Sequence, residues 1–298
     1  MNDTAPRRAR SMPEMGALFG QMFDAGEQAA AIASYRPQPG DVIISPYGKS
    51  GTTWLQQIFH SLRTRGDMDF DDISRVVPWI ETAGVCGIDL NAGQRATPRG
   101  FKSHLPYDQV PKGARYIVPL RDPKDAFVSL YRFMEGWFIE PGAIPIEDFA
   151  AMWLMRGGEA GYWHHLVSWW AQRDNPDVLL LSYARMIEDP EANVRRVAAF
   201  CGIPLDDDLL ALTLRHSSLN FMLDHKDRFD DRMMRQASER RCNLPAGGDS
   251  AKVRKGGVGG HRHELPASTA QAFDAIWAER VVPKLGFADY AALEAALG

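Results

Sequence analysis

Short apolar runs alternate along the chain with amphipathic segments, and this alternation predicts the architecture. Residues 41–45, 115–120 and 177–182 are apolar runs of strand length. Each precedes a segment with apolar residues at helical spacing, of which residues 52–65 are the clearest case. Strands that are apolar throughout and alternate with helices indicate a parallel sheet covered on both faces. The chain is therefore predicted to be an α/β protein with a central parallel sheet flanked by helices.

The same pass along the chain predicts its domain organisation. Because no repeat and no Ser/Gly linker divides the sequence, residues 13–298 are predicted to form a single domain, preceded by a frayed, disordered tail over residues 1–12. The aromatic segment 162–171 is interpreted as a core helix. The polar segment 222–251 is predicted to be an irregular surface segment.

Composition and charge narrow the class of partner. The chain has 298 residues, of which 45% are hydrophobic and 24% charged, and its formal net charge is −4. These values are typical of a soluble globular protein and argue against nucleic acid or an anionic membrane as a general partner. The three cysteines form no C-x-x-C pair, which fits a cytoplasmic location. The expected partner is a small molecule.

The most informative stretch is the glycine turn after the first strand, residues 47–54 (YGKSGTTW). Between a strand and a helix it presents backbone N–H groups to an anion, while Lys49, Ser50 and the two threonines add donors. Phosphate is the natural ligand. The turn is not a Walker A loop, because that pattern requires glycine where this chain has Ile43. The alternative is a tight turn capped by threonine, without a ligand.

Three weaker signals lie on other segments. Arg121 ends the second apolar run and Ser129 follows eight residues later, a pair suited to a second phosphate; the alternative is a solvated arginine with a packed serine. Lys102 and His104 alternate at the end of an extended run, so both side chains point to one side. This makes His104 a candidate base beside a cation, although a lone histidine is more often structural.

The fourth signal is the basic, glycine-rich segment that contains Arg254, Lys255 and Gly256. It could fold over an anion, and it could equally be a flexible charged loop. The following His261 and His263 have no accompanying cysteine or acidic cluster, so no metal site is predicted.

Together these motifs resemble the cytosolic-type sulfotransferases that use 3′-phosphoadenosine 5′-phosphosulfate. The resemblance runs from about Tyr35 to the C-terminal helices, and its most specific part is the turn over residues 49–54. It implies a P-loop-like nucleotide fold and a transfer reaction that needs no metal. It also implies which residues bind the nucleotide: Lys49, Ser50, Gly51, Thr52, Thr53, Trp54, Arg121, Ser129, Tyr183, Ser217, Leu219, Arg254, Lys255 and Gly256.

The resemblance also implies a mechanism. Its catalytic residues correspond to His104 as base, with Lys49, Lys102 and Ser129 beside it. The acceptor would be the hydroxyl of a small, hydrophobic phenol or alcohol. Its pocket is predicted to be lined by eight residues that lie near the motifs in sequence: Phe19, Phe23, Pro46, Trp79, Phe133, Trp137, Tyr162 and His165.

The sequence departs from the family pattern at three places. Gly260 and His261 stand where Asp and Trp are usual, and Leu219 stands where Phe is common. The family's short dimerisation motif is not evident in residues 264–273, so a homodimer is left undecided.

Two other functions were weighed against the transferase. A P-loop kinase using ATP and magnesium would explain Lys49 and Ser50, but Ile43 and the cation of Arg121 argue against it. A non-catalytic nucleotide-binding protein is the second alternative. The presence of Lys49, Lys102 and His104 argues against that loss of activity.

Overall fold

The structure, a computed structural model, describes residues 5–155, 161–247, 249–250 and 252–297. Within these ranges four strands form one parallel sheet, β1 (Val42–Ile44), β2 (Gly100–Lys102), β3 (Arg115–Leu120) and β4 (Val178–Ser182). Their order is β2-β1-β3-β4. The register pairs Ile44 with both Lys102 and Ile117, and Leu120 with Ser182. The carboxyl ends of the strands therefore meet along one edge.

Helices and two short 3₁₀ turns surround the sheet in the described part of the chain. The 3₁₀ turns span Ile80–Thr82 and Lys226–Arg228. The helices are α1 (Met12–Met22), α2 (Ala25–Ser34), α3 (Thr52–Thr64), α4 (Ile73–Val76), α5 (Ala83–Cys86), α6 (Pro123–Glu135), α7 (Ile146–Met155), α8 (Tyr162–Trp170), α9 (Tyr183–Glu188), α10 (Pro190–Cys201), α11 (Asp207–His216), α12 (Leu219–Asp224), α13 (Arg232–Cys242), α14 (His261–Glu264), α15 (Ala267–Arg280), α16 (Val282–Leu285) and α17 (Tyr290–Ala295).

Hydrophobic residues pack on both faces of the sheet. On one face, Ile43 and Val118 contribute to a large aromatic cluster with α6, α8 and α15. On the other, Ile44 and Ile117 pack with α3, α10 and α11. Alternating residues of each strand thus enter opposite layers, as the pleat requires. The predicted α/β class, with one sheet flanked by helices in a single domain, is confirmed.

Local signals in the sequence begin and end the helices that follow the strands. Asp122 accepts hydrogen bonds from Lys124 N and Asp125 N at the start of α6, and Pro123 is its first residue. Asp189 caps α10 in the same way, and Gly202, at φ +67°, ends that helix. These helix boundaries depend on adjacent residues in the sequence.

The predicted frayed tail is wrong for residues 5–12. Ala9 is buried and its backbone pairs with Ile139, while Ser11 caps α1. The N–H of Ala9 donates to Phe138 O at 2.8 Å, and Glu140 N donates back to Ala9 O at 2.9 Å. The partners lie some 130 residues away in the sequence, so the local basic composition gave no sign of them.

The predicted irregular segment over residues 222–251 is also wrong in part. It contains the three-turn helix α13, which buries Met234 and Ala237 in the core and contacts α1. The mean polarity of the segment hid this apolar stripe, because seven of the eleven residues of α13 are charged or polar. Among the described residues, no helix is long and apolar enough to span a membrane.

Candidate active site

The glycine turn, the Lys102 segment and Arg121 meet at the carboxyl edge of the sheet. They line one cavity of about 1660 Å³ that extends from the start of α3 to α1. In parallel sheets, ligands bind beyond the carboxyl ends of the strands, where loops from several strands converge. The cavity has two unlike parts: a polar part beside α3 and the 252–260 loop, and an aromatic part beside α1.

The glycine turn has the backbone of an anion cradle. Lys49 and Gly51 adopt φ of +67° and +95°, and a Cβ on Gly51 would lie 3.0 Å from the Tyr183 ring. Glycine is therefore required at position 51. Ser50 is buried, and within the described chain its Oγ has no hydrogen-bond partner. A buried hydroxyl without a partner at the start of a helix fits an anionic ligand.

Lys49 extends from this turn into the cavity. Its Nζ lies 4.3 Å from the centre of the Phe133 ring and donates to the backbone oxygen of Lys252 at 3.3 Å. Burial, together with the neighbouring charge of Lys252, lowers the pKa of the Lys49 ammonium to about 7. An anion bound at the turn would favour the charged form.

Arg121 joins the turn to the 252–260 loop. Its guanidinium donates to Lys49 O at 2.7 Å and to Gly257 O at 3.0 Å, and it stacks over the Tyr183 ring at 4.3 Å. Ser129 lies on α6 and lines the same cavity. The predicted pair of Arg121 and Ser129 is therefore brought to one wall.

The other residues predicted to bind the nucleotide also lie at this wall. Trp54 packs edge-on against Tyr183 with ring centres 6.0 Å apart. Ser217 and the loop residues Arg254, Lys255 and Gly256 line the cavity. Leu219 is 37% exposed, and a Cβ on Gly256 would lie 3.4 Å from it. The loop thus packs on Leu219.

His104 is held in one orientation. The ring Nδ1 of His104 is 2.8 Å from the backbone oxygen of Pro46. The backbone N–H of His104 donates to Glu81 Oε1 at 2.6 Å. Because a carbonyl oxygen only accepts, Nδ1 carries the proton and Nε2 keeps its lone pair. Burial and the Lys102 charge lower the pKa of His104 to about 3. The imidazole is therefore neutral at physiological pH.

Lys102 ends β2 on the same side as His104. Its Nζ lies 4.0 Å from the centre of the Trp79 ring and 3.8 Å from Asp231 Oδ1. Trp79 also packs edge-on against His104, with ring centres 5.1 Å apart. Burial lowers the pKa of Lys102 to about 8, although the Asp231 carboxylate opposes this effect. The base and the cation predicted from the alternating pattern are neighbours.

The aromatic part of the cavity contains five of the eight residues predicted for the acceptor. These residues are Phe19, Phe23, Trp79, Phe133 and Trp137. Phe23, which directly follows α1, packs against Trp79 with ring centres 6.1 Å apart, and Trp79 in turn packs against His104. A Cβ on Gly16 or Gly20, which also line the cavity, would meet nothing within 4 Å. The α1 wall is consequently open.

The remaining three predicted acceptor residues do not lie on the cavity wall. His165 is buried, and its Nε2 is 3.1 Å from the backbone oxygen of Ser45. Tyr162 donates its hydroxyl to Arg121 O at 2.5 Å and packs in the aromatic core. Pro46 contributes only its carbonyl, which orients His104. All three residues lie near a motif in the sequence, but in the structure they lie behind the cavity wall.

Sequence reasoning missed three charged residues that lie at the site. Glu81, Asp231 and Lys252 are buried side chains that line the cavity. Lys252 could have been noticed, because it directly precedes the basic loop. Asp231 belongs to a segment predicted to be irregular, and Glu81 carries no motif. Their positions depend on tertiary contacts.

His261, the first histidine of the 261/263 pair, contacts Asp125 on α6. His261 Nδ1 lies 2.8 Å from Asp125 Oδ1, and Gly259 N donates to Asp125 Oδ2 at 2.6 Å. Asp125 thereby fastens the end of the 252–260 loop to α6. At position 261, where the family usually has Trp, this chain has a histidine that contacts Asp125 on α6.

Comparison with known proteins identifies the class. The sulfotransferase domain model matches residues 39–284, most of the chain. The chain therefore belongs to the sulfotransferase family. This membership confirms the predicted class of enzyme, a sulfotransferase that uses 3′-phosphoadenosine 5′-phosphosulfate and acts on hydroxyl acceptors, and sets aside the kinase and the non-catalytic alternative.

Characterised relatives support the same class. The chain is 30% identical over 258 residues to the 3-alpha-hydroxysteroid sulfotransferase of Cavia porcellus, an alignment that covers 82% of this chain and 86% of the relative. It is 30% identical over 210 residues to Sulfotransferase 1B1 of Canis lupus familiaris, with 65% and 70% of the two chains covered.

Two solved structures share the fold. Retinol dehydratase, in complex with androsterone and the inactive cofactor PAP, superposes with a TM-score of 0.70 at 19% identity, covering 91% of this chain and 94% of that one. Mouse sulfotransferase SULT7A1, complexed with PAP, gives a TM-score of 0.65 at 21% identity, with 87% and 91% covered.

Proposed function

We propose that this enzyme transfers a sulfuryl group to the hydroxyl of a small hydrophobic phenol or alcohol, with His104 as the base. The observation that carries the proposal is the position of His104 between a cationic part and an aromatic part of one cavity. The polar part fits the nucleotide: a left-handed glycine turn and converging cations line it, and that turn contains the unpartnered buried hydroxyl of Ser50.

The nucleotide would be held by the wall described above. Residues 49–54 would bind the 5′-phosphosulfate end through backbone N–H groups and Lys49. Arg121 and Ser129, with Arg254, Lys255 and Gly256, would bind the 3′-phosphate, since a guanidinium matches a phosphate in a bidentate fork. Trp54, Tyr183, Ser217 and Leu219 would contact the adenosine. When bound, the nucleotide supplies the activated sulfuryl group.

His104 would take the proton from the acceptor hydroxyl. Its Nδ1–H is fixed on the Pro46 carbonyl, so Nε2 is the atom that receives this proton. The lowered pKa keeps the lone pair available at neutral pH. Lys49 and Lys102 would supply positive charge where negative charge develops during transfer. No step requires a metal in this proposal.

The aromatic part of the cavity supports a hydrophobic acceptor. Phe19, Phe23, Trp79, Phe133 and Trp137 would surround an apolar ring system, and burial of apolar surface contributes about 25 cal/mol per Å². The name of the guinea pig relative specifies a hydroxysteroid, and the androsterone bound to retinol dehydratase is a steroid alcohol. A cytoplasmic location stays a prediction, with three unpaired cysteines in its support.

The proposal is tested by sulfation assays with defined acceptors. Purified protein, 3′-phosphoadenosine 5′-phosphosulfate labelled with ³⁵S and either 2-naphthol or a steroid alcohol should give the labelled sulfate ester. Charged monosaccharides serve as the opposing acceptor class. Labelling of charged sugars alone would reject the hydrophobic acceptor, and equal turnover by His104→Ala would reject His104 as the base.

A further inference from the structure

Three lysines converge on the centre of the cavity. Lys49 comes from the glycine turn, Lys102 from the end of β2 and Lys252 from the 252–260 loop. The side chains of Lys102 and Lys252 are 3% and 8% exposed. Burying several cations together is costly unless an anion compensates for their charge. The site therefore requires a counter-ion of its own.

Asp231 is the carboxylate that meets these cations. It is 4% exposed, its Oδ1 forms a close ion pair with Lys252 Nζ, and it lies 3.8 Å from Lys102 Nζ. It immediately precedes α13 and adopts a left-handed φ of +49°. Although burial alone would raise the pKa of this carboxyl, Lys102 and Lys252 hold it well below its usual range.

Other titratable groups near Lys102 do not replace Asp231. Glu81 Oε1 accepts a hydrogen bond from the backbone N–H of His104, and burial raises the pKa of its carboxyl. Asp72 accepts from Ser74 N and Met233 N, and burial raises its pKa as well. The Cys86 thiol, whose pKa burial raises to about 11, and the neutral His104 carry no charge at physiological pH.

Lys252 also connects Asp231 to the nucleotide wall, the side of the cavity formed by residues 49–54, Arg121 and the 252–260 loop. Its backbone oxygen accepts from Lys49 Nζ while its side chain pairs with Asp231. Two residues later the chain reaches Arg254, which lines the part of the cavity proposed for the 3′-phosphate. Lys252, the first residue of the loop that would cover the nucleotide, thus contacts both the glycine turn and the residue that precedes α13.

We propose that Asp231 is a positioning residue that keeps Lys102 charged and holds Lys102 and Lys252 in place at the reacting centre, with Lys252 as a third lysine of the catalytic site. The catalytic role of Asp231 in this inference rests on the proposed function. The dependence of the Lys102 charge on Asp231 can be tested without measuring turnover.

The test follows the lysine side chains in the full-length protein. Protein labelled with ¹³C at the lysine Cε is titrated by NMR, and the Lys102 signal is assigned by its loss in Lys102→Arg. Asp231→Asn is isosteric, and asparagine tolerates the left-handed backbone. Because it removes the opposite charge nearest to Lys102, the Lys102 midpoint should move to lower pH by about one unit or more.

Two further variants separate this charge effect from a structural one. Lys252→Met removes a neighbouring cation, so the Lys102 midpoint should move to higher pH, opposite to Asp231→Asn. Asp227→Asn makes the same charge change at an exposed position and should leave the midpoint unchanged. If Asp231→Asn does not fold, the direction of the Lys252→Met shift decides alone. Unchanged Lys102 midpoints in the folded variants would overturn the proposal.

Turnover of 2-naphthol provides the catalytic arm. In Asp231→Asn the alkaline limb of the kcat profile should move to lower pH together with the Lys102 midpoint. An unmoved limb would overturn the catalytic role of Asp231. If the wild-type enzyme neither binds adenosine 3′,5′-bisphosphate nor turns over, the proposed function fails, and the lysine titration still decides the counter-ion role.

Discussion

The two parts of the cavity are built in different ways. The nucleotide wall is built around two turns that directly follow strands, so Lys49 and Arg121 are positioned by neighbouring residues and by the edge of the sheet. The aromatic wall combines α1, residues 79–81 and α6, which are distant in sequence. The reacting centre lies where the two meet. Donor binding and acceptor binding should therefore respond to different substitutions.

The largest expected effect is at the junction of the two walls. His104→Ala should lower kcat by about 10²–10⁴-fold, because the acceptor hydroxyl loses its base. Affinity for adenosine 3′,5′-bisphosphate should stay at the wild-type value, since His104 bonds to Pro46 and Glu81 rather than to the nucleotide wall. Steady-state kinetics and calorimetry measure the two quantities. A parallel loss of affinity would show that the walls are not separable.

The next largest effect is expected on the affinity of the nucleotide wall for the bisphosphate, which should depend on pH. The pKa of Lys49 is lowered to about 7 in the free protein, and a bound phosphate favours its charged form. Binding above pH 7 therefore takes up a proton, and bisphosphate affinity should fall by up to about tenfold per pH unit as pH rises. Calorimetry at pH 7, 8 and 9 measures the slope. Lys49→Met should bind more weakly and lose this slope; a slope that persists in it would contradict the assignment.

An effect of similar or smaller size is expected on the aromatic wall. Phe23→Ala should raise KM for a hydrophobic acceptor by roughly tenfold, because a phenyl contact worth about 1.5 kcal/mol is removed. The bisphosphate dissociation constant should not change. Phe287→Ala removes a partly buried ring that packs on Trp170 away from the cavity, and serves as the matched control. Equal changes in KM for both variants would indicate a general loss of packing.

The smallest effect concerns the glycines of α1. A Cβ on Gly20 would meet nothing within 4 Å, and glycine within a helix costs about 1 kcal/mol relative to alanine. Gly20→Ala should therefore raise the free energy of unfolding by about that amount in urea titrations. Gly20→Leu should in addition raise KM for the bulkier of two acceptors. A destabilised Gly20→Ala variant would contradict the open wall.

The contrast between the walls also explains how much of the structure could be predicted. The turn over residues 49–54, the β3 strand and the start of α6 follow from adjacent residues, so the sequence indicated them directly. The ion pair of Asp231 with Lys252 could not be found in this way, because it depends on the placement of α13. His165 was predicted for the wall from sequence proximity, which does not specify which way a helix faces.

The most direct test of the central claim is calorimetric titration of the purified enzyme with adenosine 3′,5′-bisphosphate and, separately, with ATP and magnesium. The account predicts micromolar binding of the bisphosphate without metal, weakened by Arg121→Met, because the wall supplies two phosphate sites. Preference for magnesium ATP, with no binding of the bisphosphate, would contradict it.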